Sequence, residues 1–215
     1  MEHLNEHKIT NIKSNYHFLL DAGHGGIVNG QYVTAGKRSP LWPDGRQLFE
    51  GVSNRMIVRR IFQLCQNAGI SCTILVPEEQ DISLGERVRR ANAIASKTPS
   101  IFISVHSNAG GGTGWEIFTT PGLTNSDKVA TIMFNSARKF LPTFKMRVDF
   151  SDGDPDQEAL FYVIKNTICP AVLTENLFMD TLKPDCEFLM SPEGIETIAQ
   201  LHFDAIKVIE QTNPF

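Results

Sequence analysis

HFLLDAGHGG, His17 to Gly26, decides the fold class. A short apolar run, HFLLD, empties into a glycine-rich turn, AGHGG, which reads as a buried strand feeding a loop. Working outward, Ile57, Ile61, Leu64, Cys65 and Ala68 recur at helical spacing between Val52 and Ala68, and Gly69 supplies the stop. Strand, long loop and helix therefore follow one another. Ile70 to Val76 reads as a second strand. Ser83-x-x-Glu86 is a capping-box signature that opens a helix through Arg87, Val88, Ala91 and Ile94. Ser100 to His106 (SIFISVH) is a third strand.

Beyond the Gly110 to Gly112 turn, Trp115 to Thr119 has the apolar and β-branched residues of a further strand, expected at an edge. Ser126 to Phe140 reads as a helix, and Pro142 to Glu158 as a polar, irregular loop with an acidic cluster between Asp149 and Asp156. Ala171 to Glu175 (AVLTE) is a last buried strand. Ser191 as N-cap and Pro192 at the first helical position open a terminal helix, whose apolar face holds Ile195, Ile198, His202, Ala205 and Ile209. Strands alternating with helices imply an α/β fold in three layers, a mostly parallel central sheet with helices on both faces. No internal repeat or interdomain linker interrupts the pattern, so one domain is expected.

Composition removes several function classes. With 41% apolar residues and 16 glycines in 215, the chain can bury a proper core and is not disordered. Its net charge of −4 repels nucleic acid and anionic lipid, so no nucleic-acid partner is expected. The cysteines Cys65, Cys72, Cys169 and Cys186 form no C-x-x-C pair and read as free, mostly buried thiols. No apolar run is long enough for a membrane span. Residues 1–15 are polar, without an apolar h-region, so they read as a flexible segment without a secretory signal, and His3 and His7 within it as incidental. Gly36-Lys37-Arg38-Ser39 lacks the upstream glycine and Lys-Ser pair of a phosphate loop, and no G-x-G-x-x-G opens a helix, which disfavours a nucleotide enzyme.

In sheets of this kind ligands gather beyond the carboxyl ends of the strands. His24 follows the first strand, His106 ends the third and Glu175 ends the last, so one rim holds all three, and the helix starting near Glu50 returns that carboxylate to it. Two histidines and a carboxylate suit Zn²⁺, filling three tetrahedral corners and leaving the fourth for water. On this reading His24, Glu50 and His106 are ligands and Glu175 shuttles the proton. Each residue also has a plainer reading. His24 is a loop residue, His106 a buried hydrogen-bonded histidine, and Glu50 a helix N-terminal carboxylate favoured by the macrodipole. Glu175 is a buried carboxylate that something must compensate. Asn108 and Asn176 read as turn formers in preference to substrate holders, His202 as a core histidine, and Trp42, Tyr32 and Phe49 as packing within a loop in preference to a carbohydrate-stacking surface.

At these residues the chain resembles the zinc-dependent N-acetylmuramoyl-L-alanine amidases of the amidase-3 type. The matching segments are LLDAGHGG (Leu19 to Gly26), FEGVSNRMI (Phe49 to Ile57), SLGERVRRAN (Ser83 to Asn92), SVHSNA (Ser104 to Ala109) and PAVLTEN (Pro170 to Asn176), in the family's order. The resemblance implies one catalytic domain over residues 16–215, with Zn²⁺ bound by His24, Glu50 and His106 and Glu175 as the catalytic carboxylate. It implies hydrolysis of the amide between the lactyl group of N-acetylmuramic acid and L-alanine of the stem peptide, with peptidoglycan or a muropeptide as substrate. The expected site of action is the cell wall or periplasm, reached through lysis, an unseen export route or a leader this chain lacks. Two departures bear on substrate. The 25 residues between His24 and Glu50, with Tyr32, Lys37, Arg38, Trp42 and Arg46, exceed the compact loop usual in the family and suggest a lid or substrate wall. Lys145 to Asn166 is acidic where relatives carry basic and small residues, and Lys165 stands where an arginine is common. Two alternatives stay open: a zinc peptidase or deacylase acting on soluble muropeptides or another small amide, and an inactive wall-binding homologue.

Overall fold

The computed structural model describes residues 14–215. In chain order come β1 (His17–Ala22), a small hairpin of β2 (Ile27–Val28) and β3 (Gln31–Tyr32), α1 (Glu50–Asn67), β4 (Cys72–Ile74), α2 (Leu84–Ala95), β5 (Ser100–Asn108) and β6 (Glu116–Thr119). There follow α3 (Asn125–Phe140), β7 (Gln157–Glu158), α4 (Tyr162–Lys165), β8 (Ala171–Phe178), a kinked helical turn (Leu182–Cys186), α5 (Glu187–Leu189) and α6 (Pro192–Thr212).

Six strands form the central sheet in the order β4-β1-β5-β8-β6-β7. The pairs β4/β1, β1/β5 and β5/β8 are parallel, and β6 runs antiparallel to β8. The two-residue period of the strands explains the layers. Phe18 and Leu20 of β1 and Ile101, Ile103 and Val105 of β5 enter one buried cluster, with Ile57, Ile61, Met133, Ile198 and Ile206 of α1, α3 and α6. Leu19, Phe102 and Leu173 face the other way, into a cluster with Val88 and Ala91 of α2 and Val163 and Ile164 of α4. Both faces are covered, as a mostly parallel sheet requires.

Helix ends follow local chemistry. Ser191 accepts from the amide of Gly194 at 2.9 Å with Pro192 beside it, and Gly69 takes a positive φ of 70° just past α1. At α2 only half of the expected capping box forms: Ser83 Oγ accepts from Glu86 N at 3.3 Å, while the Glu86 carboxylate pairs with Arg89 and Arg90. A full capping box appears instead at α3, between Thr124 and Asp127.

Several expectations shift. The segment expected as an edge strand, Trp115 to Thr119, lies one strand inside the edge, because Gln157–Glu158 pairs alongside it as β7. The second strand shortens to three residues. The third and last strands extend to Asn108 and Phe178, so His106 and Glu175 sit within strands rather than at their ends. Of the segment expected to be flexible, residues 1–13, with His3 and His7, lie outside the described residues. Ser14 Oγ and the Asn15 amide each donate to the Glu210 carboxylate at 2.8 Å. The four cysteines are free, and all but Cys169 are buried. Among the described residues no helix is long and apolar enough to cross a membrane.

Candidate active site

The sheet register builds the site. Gly23 donates its amide to Val105 O at 3.0 Å, placing it level with His106; His106 pairs with Glu175 across β5/β8, and Glu175 with Glu116 across β8/β6. Paired residues project to one face. Here it is the face covered by α2 and α4, so the row His106, Glu175, Glu116 lies where that helical layer ends. Gly23 must be glycine because a Cβ there would stand 2.2 Å from His106 Cε1. The chain then turns sharply at His24, a non-glycine residue with φ of 64°. The turn is clamped through its carbonyl, which accepts from Arg55 at 2.8 Å and from Arg87 at 3.0 Å.

Glu50 enters from the opposite side, as the first residue of α1, where the helix dipole favours a carboxylate. Gly51 allows the approach, since a Cβ there would meet the Gly25 carbonyl oxygen at 1.9 Å. Glu50 Oε1 lies 3.2 Å from His24 Nε2 and 3.2 Å from His106 Nδ1, and it accepts from the Ser107 amide at 3.2 Å. The histidine rings meet edge to face at 5.0 Å. Burial works against the Glu50 carboxylate, but hydrogen bonds and charge from His106 and His24 outweigh it and hold the carboxyl well below its usual range.

The ligand atoms of His24, Glu50 and His106 all fall within 4.8 Å of one another. Tetrahedral corners about 2.1 Å from a Zn²⁺ centre stand about 3.4 Å apart. The two 3.2 Å edges of this triangle therefore fit one divalent ion, and the donor set, two imidazoles and a carboxylate, is one that zinc takes. His24 and His106 keep 19% and 15% of their side-chain surface exposed while Glu50 keeps 2%, so the triangle opens outward over the histidines.

Beneath the triangle a buried relay fixes the His106 ring. His106 Nε2 lies 3.1 Å from Ser104 Oγ, Ser104 Oγ donates to Asp21 Oδ2 at 2.6 Å, and Asp21 Oδ1 accepts from Arg87 at 2.6 Å. Arg87 also donates to the carbonyls of Ala22 and Ile82, so the guanidinium ties β1, its turn and α2 together. With Asp21 accepting the serine proton, Ser104 Oγ accepts from His106 Nε2–H; Nδ1–H then donates to Glu50, and a bound metal ion would take the place of that proton at Nδ1.

Glu175 borders the triangle. Its Oε2 is buried and has no hydrogen-bond partner among the described residues. Burial pushes its carboxyl up to about 7; His106 draws it down, and Glu50 and Glu116 raise it again. Glu116 is itself held by Asn108 and by Arg147 Nε at 3.0 Å. A partly buried carboxylate beside the His106 imidazole, with one buried oxygen unpartnered, is suited to taking and returning a proton.

The model of the N-acetylmuramoyl-L-alanine amidase family (amidase-3) matches residues 18–208. The chain belongs to that family. It is 30% identical over 189 residues to the N-acetylmuramoyl-L-alanine amidase CwlM of Bacillus licheniformis, covering 87% of this chain and 66% of that protein. It is 28% identical over 193 residues to the sporulation-specific N-acetylmuramoyl-L-alanine amidase of Bacillus subtilis, covering 88% and 66%. The chain thus spans just under two thirds of the length of either relative. In fold it matches the amidase AmiC2 of Nostoc punctiforme with a TM-score of 0.70 at 21% identity, over 92% of this chain and 98% of that one.

This member of the family brings together all four residues singled out from sequence, and it adds others that sequence reading missed. Asn176 is not a turn former. It lies inside β8, donating to the His106 carbonyl and to Thr174 Oγ1, both at 3.0 Å, and accepting from Trp115 Nε1 at 2.9 Å. Asn108 likewise ends β5 and holds Glu116. Alternation along β8 sets Asn176 on the face opposite Glu175, and a bulge with Leu177 at φ of 65° follows before the strand rejoins β5 at Phe178. Asp21, Ser104 and Arg87 also escaped notice, although each lies within a segment that carries the family resemblance. His202 is a core histidine as expected, donating to the Ile198 carbonyl at 2.7 Å and lying 3.0 Å from Thr174 Oγ1. Tyr32 and Phe49 pack against each other, ring centroids 4.7 Å apart.

Proposed function

We propose that this chain is a zinc-dependent N-acetylmuramoyl-L-alanine amidase, acting on the amide between the lactyl group of N-acetylmuramic acid and L-alanine of the stem peptide in the cell wall. The observation that carries the reading is the triangle of His24, Glu50 and His106, sized for one ion and bordered by the unpartnered Glu175. Its donor set and the family relationship support Zn²⁺ as the metal.

His24, Glu50 and His106 would hold Zn²⁺, which would supply Lewis acidity for the scissile carbonyl and for a water molecule. Glu175 accepts the proton of the attacking water at Oε2 and returns it to the leaving nitrogen, a task suited to a carboxyl that titrates near neutrality. Ser104 and Asp21 hold His106 in the tautomer that offers Nδ1, and Arg55 and Arg87 hold the backbone of His24. The hairpin loop between His24 and Glu50 forms one wall: Tyr32 hydroxyl donates to the Lys37 carbonyl and accepts from the Gly51 amide, tying the loop to the start of α1.

Digestion of purified peptidoglycan, followed by mass spectrometry with and without chelator, tests the proposal. Free stem peptides beginning at L-alanine, lost with chelator and restored by zinc, are expected. Intact material under all conditions, from protein that retains stoichiometric zinc, would overturn the substrate assignment and leave a small soluble amide as the alternative.

A further inference from the structure

A second cluster of metal-capable side chains lies away from the candidate active site. One carboxylate oxygen from each of Asp127, Asp154 and Asp156 falls within 4.8 Å of the others. Asp127 belongs to the first turn of α3, and the other two end the acidic loop that leads into β7. Asp156 is 2% exposed; its Oδ2 accepts from Thr119 Oγ1 at 2.5 Å, while its Oδ1 is buried with no partner among the described residues. None of the three carboxylates joins an ion pair among the described residues, and the adjacent Lys128 turns to the Pro214 carbonyl instead.

Three carboxylates this close, two of them buried, are strongly unfavourable when all are ionised: burial and the neighbouring Asp154 push the Asp156 carboxyl up to about 8, and a bound cation would relieve the same strain while leaving the carboxylates ionised. We propose that Asp127, Asp154 and Asp156 bind a hard divalent cation, Ca²⁺ in preference to Mg²⁺. The donors are all oxygen, which excludes a soft metal. They come from an irregular loop and a helix end, which suits the variable coordination of Ca²⁺ better than the strict octahedron and retained waters of Mg²⁺. Asp127 Oδ2 caps the Thr124 amide, while Oδ1 accepts only a long bond of 3.5 Å from Thr124 Oγ1, so an ion could take Oδ1 with the backbone cap kept.

The position gives the ion a structural task. Thr119 ends β6 three residues beyond Glu116, about 10 Å along the strand from the row that holds Glu175. The loop from Leu141 to Asp156 starts near that row, where Arg147 meets Glu116, and finishes at the acidic cluster. An ion there anchors the far end of the loop and secures the short edge strand β7 against β6.

Zinc-loaded protein is titrated with CaCl₂ by calorimetry, and its thermal midpoint is followed with CaCl₂ or MgCl₂ at matched ionic strength. One Ca²⁺ per chain is expected at this site. At a hundredfold excess over the dissociation constant, the midpoint rises by about 5–10 °C, and Mg²⁺ gives less than half of that. Asp156→Asn and the half-exposed Asp154→Asn each abolish the rise. No heat and no shift up to about 5 mM CaCl₂ would overturn the proposal. So would an equal calcium shift in the variants, whereas an equal response to Mg²⁺ would overturn the calcium preference. Should Asp156→Asn fail to fold, Asp154→Asn alone decides.

Discussion

Replacing Ser104 with alanine removes a single oxygen from the floor of the candidate active site. In the native protein that oxygen accepts from His106 Nε2–H at 3.1 Å and donates to Asp21 at 2.6 Å. The variant leaves one buried imidazole N–H and one carboxylate oxygen without partners, each worth about 1–3 kcal/mol. Asp21 keeps its bond to Arg87, which brings the expected loss of stability in the metal-free protein toward the lower end, about 2 kcal/mol, or a fall in the thermal midpoint of about 4–8 °C. The His106 ring loses its tautomer and orientation as well. Loss of such a supporting hydrogen bond lowers metal affinity by about 10–100-fold. Competition with a chromophoric chelator reads the zinc affinity, and a melt of the metal-free protein reads the stability separately. A stability loss with unchanged zinc affinity would refute the assignment of His106 as a ligand oriented by Ser104, since a purely structural histidine would give that pattern.

Glu175→Gln should bind zinc and melt like the native protein while losing about 10²–10⁴-fold in turnover on muropeptides; near-native turnover would remove Glu175 from the mechanism. Arg87→Met strands the buried Asp21 carboxylate, a loss of about 3–5 kcal/mol, measured as a lower urea midpoint; a variant as stable as the native protein would show that Asp21 is compensated elsewhere. His202 gives a pH dependence, because burial lowers its pKa from 6.5 to about 4. Below pH 6.5 the unfolded chain takes a proton that the folded one refuses, so stability present at neutral pH is lost as pH falls, by about 2 kcal/mol between pH 7 and 5. His202→Gln should flatten that part of the stability curve relative to the native protein, and parallel curves would show that His202 does not contribute.

Legibility in the sequence followed the range of the forces involved. The helices α1, α2, α3 and α6 were readable because apolar spacing is set within a few residues, and at α2 and α6 the Ser83 and Ser191 caps marked the starts as well. The strands around Leu19, Ile103 and Val172 were readable because burial on both faces leaves continuous apolar runs. Their ends were less so: β8 passes Glu175 to Phe178 only because β5 continues beside it to Asn108, and a partner's length is not encoded locally. The edge strand β7 was invisible for the same reason, two polar residues made into a strand by pairing with Phe118 and Thr119. Asn176 was misread because an asparagine beside a strand end usually forms a turn, whereas here β8 continues, and alternation sets it on the same face as Thr174, bonded to His106 and Trp115.

By itself the sequence determined the α/β class, the rim on which His24, Glu50, His106 and Glu175 gather, and the kind of ion that two imidazoles and a carboxylate suit. Periodicity, caps and side-chain chemistry are properties of neighbouring residues, so they survive without coordinates. Tertiary structure decided the register that sets His106 opposite Glu175 and the 3.2 Å edges that size the site for one ion. It also decided the relay through Ser104, Asp21 and Arg87 that orients the ring, since partners 66 and 83 residues apart meet only when the sheet and α2 have packed.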